Sequence, residues 1–152
     1  MVKELDKAEA IGKLNEIMEL ELAGVVRYTH YSLMVYGHNR SPIVEWMRKQ
    51  AHESLNHAQE AGELITHFGE HPSLKIGPLL ETEKHDIGDI LRESLEHERA
   101  SLENYHELLE VTRDRSVLLE EYARRLIAEE EEHQGEVDKM LRNPGEVQQF
   151  SR

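Results

Sequence analysis

Residues 69–85 read GEHPSLKIGPLLETEKH, a stretch broken by two prolines and two glycines and lacking any helical period. It divides the chain into two pairs of long amphipathic segments, and its length decides how those pairs are arranged. Upstream, apolar residues recur at helical spacing over about 3–36 and 42–68; downstream they recur over 87–113 and 117–142. The boundaries carry matching punctuation. Gly37 and Phe68-Gly69 read as helix stops, Ser41-Pro42 as a cap followed by the proline favoured at the first helical position, Asp86 and Ser116 as starts, and Asn143-Pro144-Gly145 as the last break. Only a few residues join the segments within each pair, so each pair is expected to form an antiparallel hairpin. A helix of about 27 residues spans roughly 40 Å, whereas seventeen extended residues reach roughly 55 Å. The stretch 69–85 can therefore cross the full length of a bundle. The expected fold is all-α: an antiparallel four-helix bundle over 1–143, built as two hairpins joined by a long crossover, with 144–152 as a short polar tail.

Composition agrees. The 152 residues suffice for one domain with a core of its own. Charged residues make up 32% and hydrophobic residues 38%, with two Phe and one Trp, which suits long amphipathic helices better than a sheet. The chain has no Cys, so disulfides, thiolate chemistry and Cys-ligated zinc or iron–sulfur sites are excluded. The formal net charge is -13, and no stretch is strongly basic. Nucleic acid and anionic membrane surfaces therefore have no electrostatic support as partners. An acidic surface suits cations, and equally it suits ordinary solubility. No apolar run approaches about 18 residues and the first residues lack a signal-peptide core, so a soluble cytoplasmic protein is expected.

The informative residues are carboxylates on apolar stripes. Glu21 shares its stripe with Leu14, Ile17, Met18, Gly24, Val25, Tyr28 and Val35. Glu98 sits among Leu91, Leu95, Leu102, Tyr105 and Leu109; Glu130 and His133 sit among Leu119, Leu126, Ile127, Val137 and Leu141. On the second segment, Glu53 and His57 fall between Ile43, Met47, Leu64 and Phe68. Any one of these Glu, taken alone, reads as a solvated residue, and only one of the run 129–132 can face the core squarely. Four segments each aiming a Glu inward near mid-length form a different pattern, because an unpaired buried carboxylate costs several kcal/mol. A pair of divalent cations is the economical shared partner, with two imidazoles completing the coordination. Glu130 and His133 have the spacing Glu-x-x-His; Glu53 and His57 are one residue further apart, still on one helix face. A local π-bulge could realign them. Glu60, three residues after His57, is a second candidate for a bridging carboxylate. Hard carboxylates with imidazole suit iron or manganese. Tyr28 and Tyr105 read as core aromatics able to hydrogen-bond a ligand. The remaining His residues, among them His30, His85 and His97, read as surface or helix-end residues.

These features resemble the ferritin-like superfamily, and within it the bacterioferritins, over residues 5–142. Leu20-Glu21-Leu22 followed by Tyr28 resembles the helix-one signature. His57-Ala58 leading through Leu64-Ile65 to Gly69 and Pro72 resembles the end of helix two. The run from Leu91 to Glu98 resembles helix three, and Glu130-x-x-His133 helix four. The resemblance implies two iron ions per subunit, with manganese as an alternative: Glu21 and His57 on one, Glu98 and His133 on the other, and Glu130 bridging. The second bridge falls at Ser54 on strict alignment of His57, so Glu53 takes that role only by a one-residue shift. The implied activity is Fe(II) oxidation with O2 or H2O2, a ferroxidase reaction serving iron storage and detoxification, in a homo-oligomer between a dimer and a cage. Bacterioferritins hold haem on a Met directly after the bridging Glu of helix two. Here Ser54 follows Glu53 and Leu55 follows Ser54, so no haem is expected. The family's fifth helix has no counterpart in the tail.

Two rivals remain. A small non-cage di-iron or dimanganese oxidase or peroxidase resembling rubrerythrin would fit the bundle, although the extra helix-three Glu of that group falls at Ser101. The starved-cell DNA-protection proteins share the bundle but place iron between subunits and often carry basic tails, which this chain lacks.

Overall fold

The computed structural model describes residues 3–79 and 81–150. The expected domain limit at residue 1 and the end of the tail lie outside the described residues. The chain forms four helices: α1 (Lys7–Met34), α2 (Arg40–His67), α3 (Ile87–Thr112) and α4 (Val117–Leu141). Three open on side-chain caps that satisfy otherwise unpartnered amides. Asp6 accepts from the Glu9 amide, Asp86 from the Gly88 amide and Ser116 from the Leu119 amide. The second helix starts earlier than Ser41-Pro42 suggests, with Asn39 at the cap position. Pro42 then lies within the first turn, where a missing N–H breaks no helical hydrogen bond.

Partner residues fix the directions. Tyr105 of α3 meets Glu21 of α1, and Glu98 meets Tyr28, so α1 and α3 run antiparallel. Since the tight hairpin also makes α2 antiparallel to α1, α2 and α3 point the same way, and the connection between them must travel the length of the bundle. It does so as a strap along α1. The Ser73 amide donates to Asn15 Oδ1 at 2.8 Å, the Gly77 amide to the Glu19 carbonyl at 2.8 Å, and Glu81 pairs with His30 at 3.0 Å. Gly77 makes this approach possible: a Cβ there would lie 3.0 Å from Leu20 Cα and 3.1 Å from the Glu19 carbonyl oxygen.

The core is in two parts, each drawing on all four helices. One is built around Leu14, Ile17, Ile65, Tyr105, Leu108, Leu119 and Leu126. The other is built around Tyr28, Met47, Ile90, Leu95 and Val137. Between them lies a belt of buried polar residues that includes Glu21, Ser54, Glu98, Ser101 and Glu130. Helix α1 packs on α2 and α3, and α3 on α4. Among the described residues no Cα of α2 comes within 8 Å of a Cα of α4, and the two helices meet through side chains alone. A cleft of about 980 Å³ opens along that seam. No helix among the described residues is long and apolar enough to cross a membrane.

Candidate metal centre

The polar belt is a cluster of acids and imidazoles at the floor of the cleft. Glu21, Glu98 and Glu130 are at most 5% exposed, on α1, α3 and α4. His57 of α2 points its Nδ1 inward, 3.6 Å from Glu21 Oε2 and 3.9 Å from Glu130 Oε1. His133 Nε2 lies 3.5 Å from Glu98 Oε1. One ligand atom from each of Glu21, His57 and Glu130 falls within 4.8 Å of the others. Buried hydroxyls orient the acids: Tyr105 donates to Glu21 Oε1 at 3.0 Å and Tyr28 to Glu98 Oε1 at 2.6 Å. Tyr28 also lies 2.7 Å from Ser94 Oγ and 3.2 Å from His133 Nε2. The ring of Trp46 stacks on His133 at 5.8 Å with an interplanar angle of 5°.

The electrostatics show what the protein alone leaves unresolved. Burial, followed by the neighbouring Glu98 charge, pushes the Glu130 carboxyl well above the usual carboxylate range. Its Oε2 is buried without a hydrogen-bond partner. Burial also works to raise Glu98, but the hydrogen bond from Glu130, and then the His133 charge, pull it below its ordinary value. Burial raises Glu21 as well, against the opposing His57. His57 is drawn up to about 9: burial works to lower it, and the hydrogen bond and charge of Glu21 overcome burial. Tyr28 and Tyr105 are held protonated by burial and by the acids beside them, so both act as donors. Three acids and two imidazoles converging around an orphaned carboxylate oxygen match the donor chemistry of a divalent metal pair. Two dications would carry +4 against three carboxylates, which relieves the repulsion between Glu98 and Glu130.

The second helix departs from the expected set. Arg40–His67 is α-helical throughout, without the π-bulge that would have turned Glu53 inward. Glu53 is exposed at the rim of the cleft, and Ser54, 7% exposed, takes the inward position. Glu60 lies further along the cleft, its carboxylate paired with Arg125 at 2.6 Å. Glu129, half-exposed, reaches His57 Nε2 at 3.1 Å from the solvent side.

A family model for the ferritin-like domain matches residues 11–145. The chain belongs to the ferritin-like family. Bacterial non-heme ferritins of Escherichia coli O157:H7 and Shigella flexneri are each 28% identical to it over 102 residues, covering 67% of this chain and 62% of the relative. The chain thus spans less than two thirds of the length of those relatives. Among solved structures, a ferritin-like, diiron-carboxylate protein of Bacillus anthracis superposes with a TM-score of 0.85 at 23% identity, covering 92% of this chain and 100% of that one. A dodecameric thioferritin of Bacteroides fragilis gives 0.82 at 23%, covering 91% and 87%. The bacterioferritin of Desulfovibrio desulfuricans gives 0.77 at 26%, covering 89% and 79%.

Within this ferritin-like chain, several site neighbours escape a reading by apolar stripes. The inward face of α2 is Val44, Met47, Ala51, Ser54, Ala58, Ala61 and Ile65, whereas Ile43, Leu64 and Phe68 are only half-buried. Alanines carry little hydrophobic signal, yet they let α2 pack closely on α1. Their spacing of three and four was the available clue. His97 is buried rather than superficial, and burial lowers it to about 4. It adjoins Gly24, where a Cβ would lie 3.2 Å from its Nε2 and 2.8 Å from Ser54 Oγ. Trp46 and Gln134, which donates to the Glu98 carbonyl at 3.1 Å, are further supports without a motif of their own.

Proposed function

We propose that this ferritin-like chain oxidises Fe(II) at a dinuclear centre held by Glu21, His57, Glu98, Glu130 and His133, in the service of iron storage and detoxification. The observation that carries the reading is the buried Glu130 carboxyl, which has no hydrogen-bond partner at Oε2 and lies between the Glu21–His57 and Glu98–His133 pairs. Glu21 and His57 would hold one ion and Glu98 and His133 the other, with Glu130 available to both. The ions supply the redox chemistry, each ferrous ion giving one electron to O2 or H2O2. The residues supply binding, orientation and proton movement. Tyr105 and Tyr28 fix the carboxylate rotamers of Glu21 and Glu98. Binding would displace the protons of Glu130 and of His57 Nδ1, while His57 Nε2–H stays donated to Glu129 at the mouth of the cleft, which fixes the tautomer. Ferrous ions arrive through the same cleft, whose walls carry Glu53, Glu60, Glu129, Glu132 and Glu136. Manganese is the alternative metal for this donor set. The diiron site named for the Desulfovibrio bacterioferritin and the ferritin identity of the enterobacterial relatives support the same reading.

The centre has one bridging acid fewer than the four-helix pattern implies, since Ser54 stands where a second would project. Haem ligation is not part of this reading, because Leu55 follows Ser54 and offers no sulfur. Assembly is a homo-oligomer. The described tail, 144–150, is non-helical and turns back on α4, the Phe150 amide donating to Asp138 Oδ1 at 3.2 Å. A small non-cage oxidase or peroxidase resembling rubrerythrin is the second reading, and light scattering separates a hollow shell from a dimer. The activity is tested by aerobic addition of Fe(II), which is expected to give a fast rise in ferric absorbance. The variant Glu130→Ala with His133→Ala is expected to lose that fast phase, and an unchanged rate would overturn the assignment.

A further inference from the structure

The crossover brings a second set of metal-ligating side chains together, away from the polar belt and sharing no residue with it. His30 projects from α1 beneath the end of the strap, where Glu81 and His85 stand four residues apart just before α3. His30 Nε2 lies 3.0 Å from Glu81 Oε2, and His85 Nε2 lies 3.7 Å from Glu81 Oε1. The two imidazole rings are 6.0 Å apart, inclined at 67°. One ligand atom from each of the three residues falls within 4.8 Å of the other two. An independent observation points to a missing ligand: His85 Nε2 is buried and makes no hydrogen bond, its separation from Glu81 being too long for one.

The segment that carries Glu81 and His85 is anchored at several points. Between them, Thr82 donates to Glu93 Oε2 through its amide at 3.3 Å and its hydroxyl at 2.8 Å. Glu93 is itself locked by Arg27 at 3.2 Å and Tyr31 at 2.6 Å. Glu83 adopts φ 56°, and its amide donates back to Glu81 Oε1. Asp86 then caps α3. These contacts hold the Glu81 carboxylate between the two imidazoles, and the Glu83 amide, followed by the imidazoles, keeps that carboxyl below its usual range.

We infer that His30, Glu81 and His85 form a second, separate site for a divalent cation of the zinc type. Two imidazole nitrogens and one carboxylate oxygen are a three-ligand zinc set, with water in the fourth position. The imidazoles favour zinc, cobalt or nickel over magnesium and calcium. Bonds of about 2.0–2.2 Å require the half-exposed side chains to close in by about an ångström, which leaves the backbone in place. Occupancy clips the crossover to α1 and stabilises the native chain by mass action.

The test is calorimetric titration of the chelator-treated protein with zinc chloride, comparing the native sequence with His30→Ala/His85→Ala and with the milder Glu81→Gln. The double variant is expected to bind one zinc fewer per chain while retaining the native initial rate of Fe(II) oxidation, and Glu81→Gln to weaken that zinc about tenfold or more. An anomalous-scattering peak at the zinc edge, seated between His30 and His85, is the expected structural counterpart. Equal zinc stoichiometry in the native and double-variant proteins, or no peak at that position, would overturn the inference.

Discussion

Glu21 is met by a single phenol, Tyr105, and its partner His57 leans outward on Glu129 at the mouth of the cleft. Glu98, by contrast, is met by Tyr28, whose hydroxyl also reaches Ser94 and His133, and His133 is stacked flat on Trp46. The two pairs use the same residue types and are equally buried, but one is braced by several buried groups and the other by a single phenol. The two halves differ also on α2, where Ser54 stands in the register that Glu130 occupies on α4. On the proposed reading, the braced pair would be the better pre-organised for a metal and the Glu21–His57 pair the more easily exchanged. Supporting hydrogen bonds of this kind are commonly worth 10–100-fold in metal affinity.

The largest effect is expected from Glu130→Gln, which removes the acid both pairs share. Metal analysis should then find one of two inner equivalents lost. The chelator-treated variant should melt roughly 2–4 °C higher, equivalent to about 1 kcal/mol for a domain of this size, because an isosteric neutral group ends a costly burial. A lower melting temperature would contradict the account of Glu130. Next comes pH. A metal at the His57 pair must displace a proton from a group drawn up to about 9, so affinity should rise about tenfold per unit as pH climbs from 7 toward 9. Co(II) titrations in a His85→Ala background, where only the inner centre reports, would show this slope; a flat profile would mean that His57 is neutral at pH 7. Tyr28→Phe should weaken metal binding by roughly 10–100-fold and Tyr105→Phe only a few-fold, and equal losses would erase the distinction between the halves. A gain of about tenfold is expected from Ser54→Glu, which supplies the absent acid and should tighten binding at the Glu21–His57 pair. No gain would show that the register at Ser54 cannot reach the metals.

The long crossover, the hairpins and two of the four helix starts were legible in residues 69–85, Asp86 and Ser116, because prolines, glycines and capping residues act locally. The acids on α1, α3 and α4 were legible because each interrupts a stripe of large apolar residues. On α2 the same method slipped by one residue. Its inward face is made of Ala51, Ser54, Ala58 and Ala61, whose contribution lies in close approach rather than hydrophobicity, and a shift of one residue turns a side chain by about 100°. The convergence of His30 with Glu81 and His85 was not legible at all. It depends on how far along α1 the strap runs, and that is set by the close fit of Gly77 and by tertiary hydrogen bonds to Asn15 and Glu93.

The seam between α2 and α4, bridged by side chains alone, has a mechanical consequence. With α1 and α3 joined and the strap laid along α1, the two hairpins behave as the covers of a book bound along one spine. Widening that seam would part His57 from Glu130 and break the Glu60–Arg125 ion pair, while leaving the contacts of the spine intact. Whatever seats itself along α2 and α4 from outside, another copy of the chain included, would therefore gain leverage over the spacing of the buried acids and imidazoles.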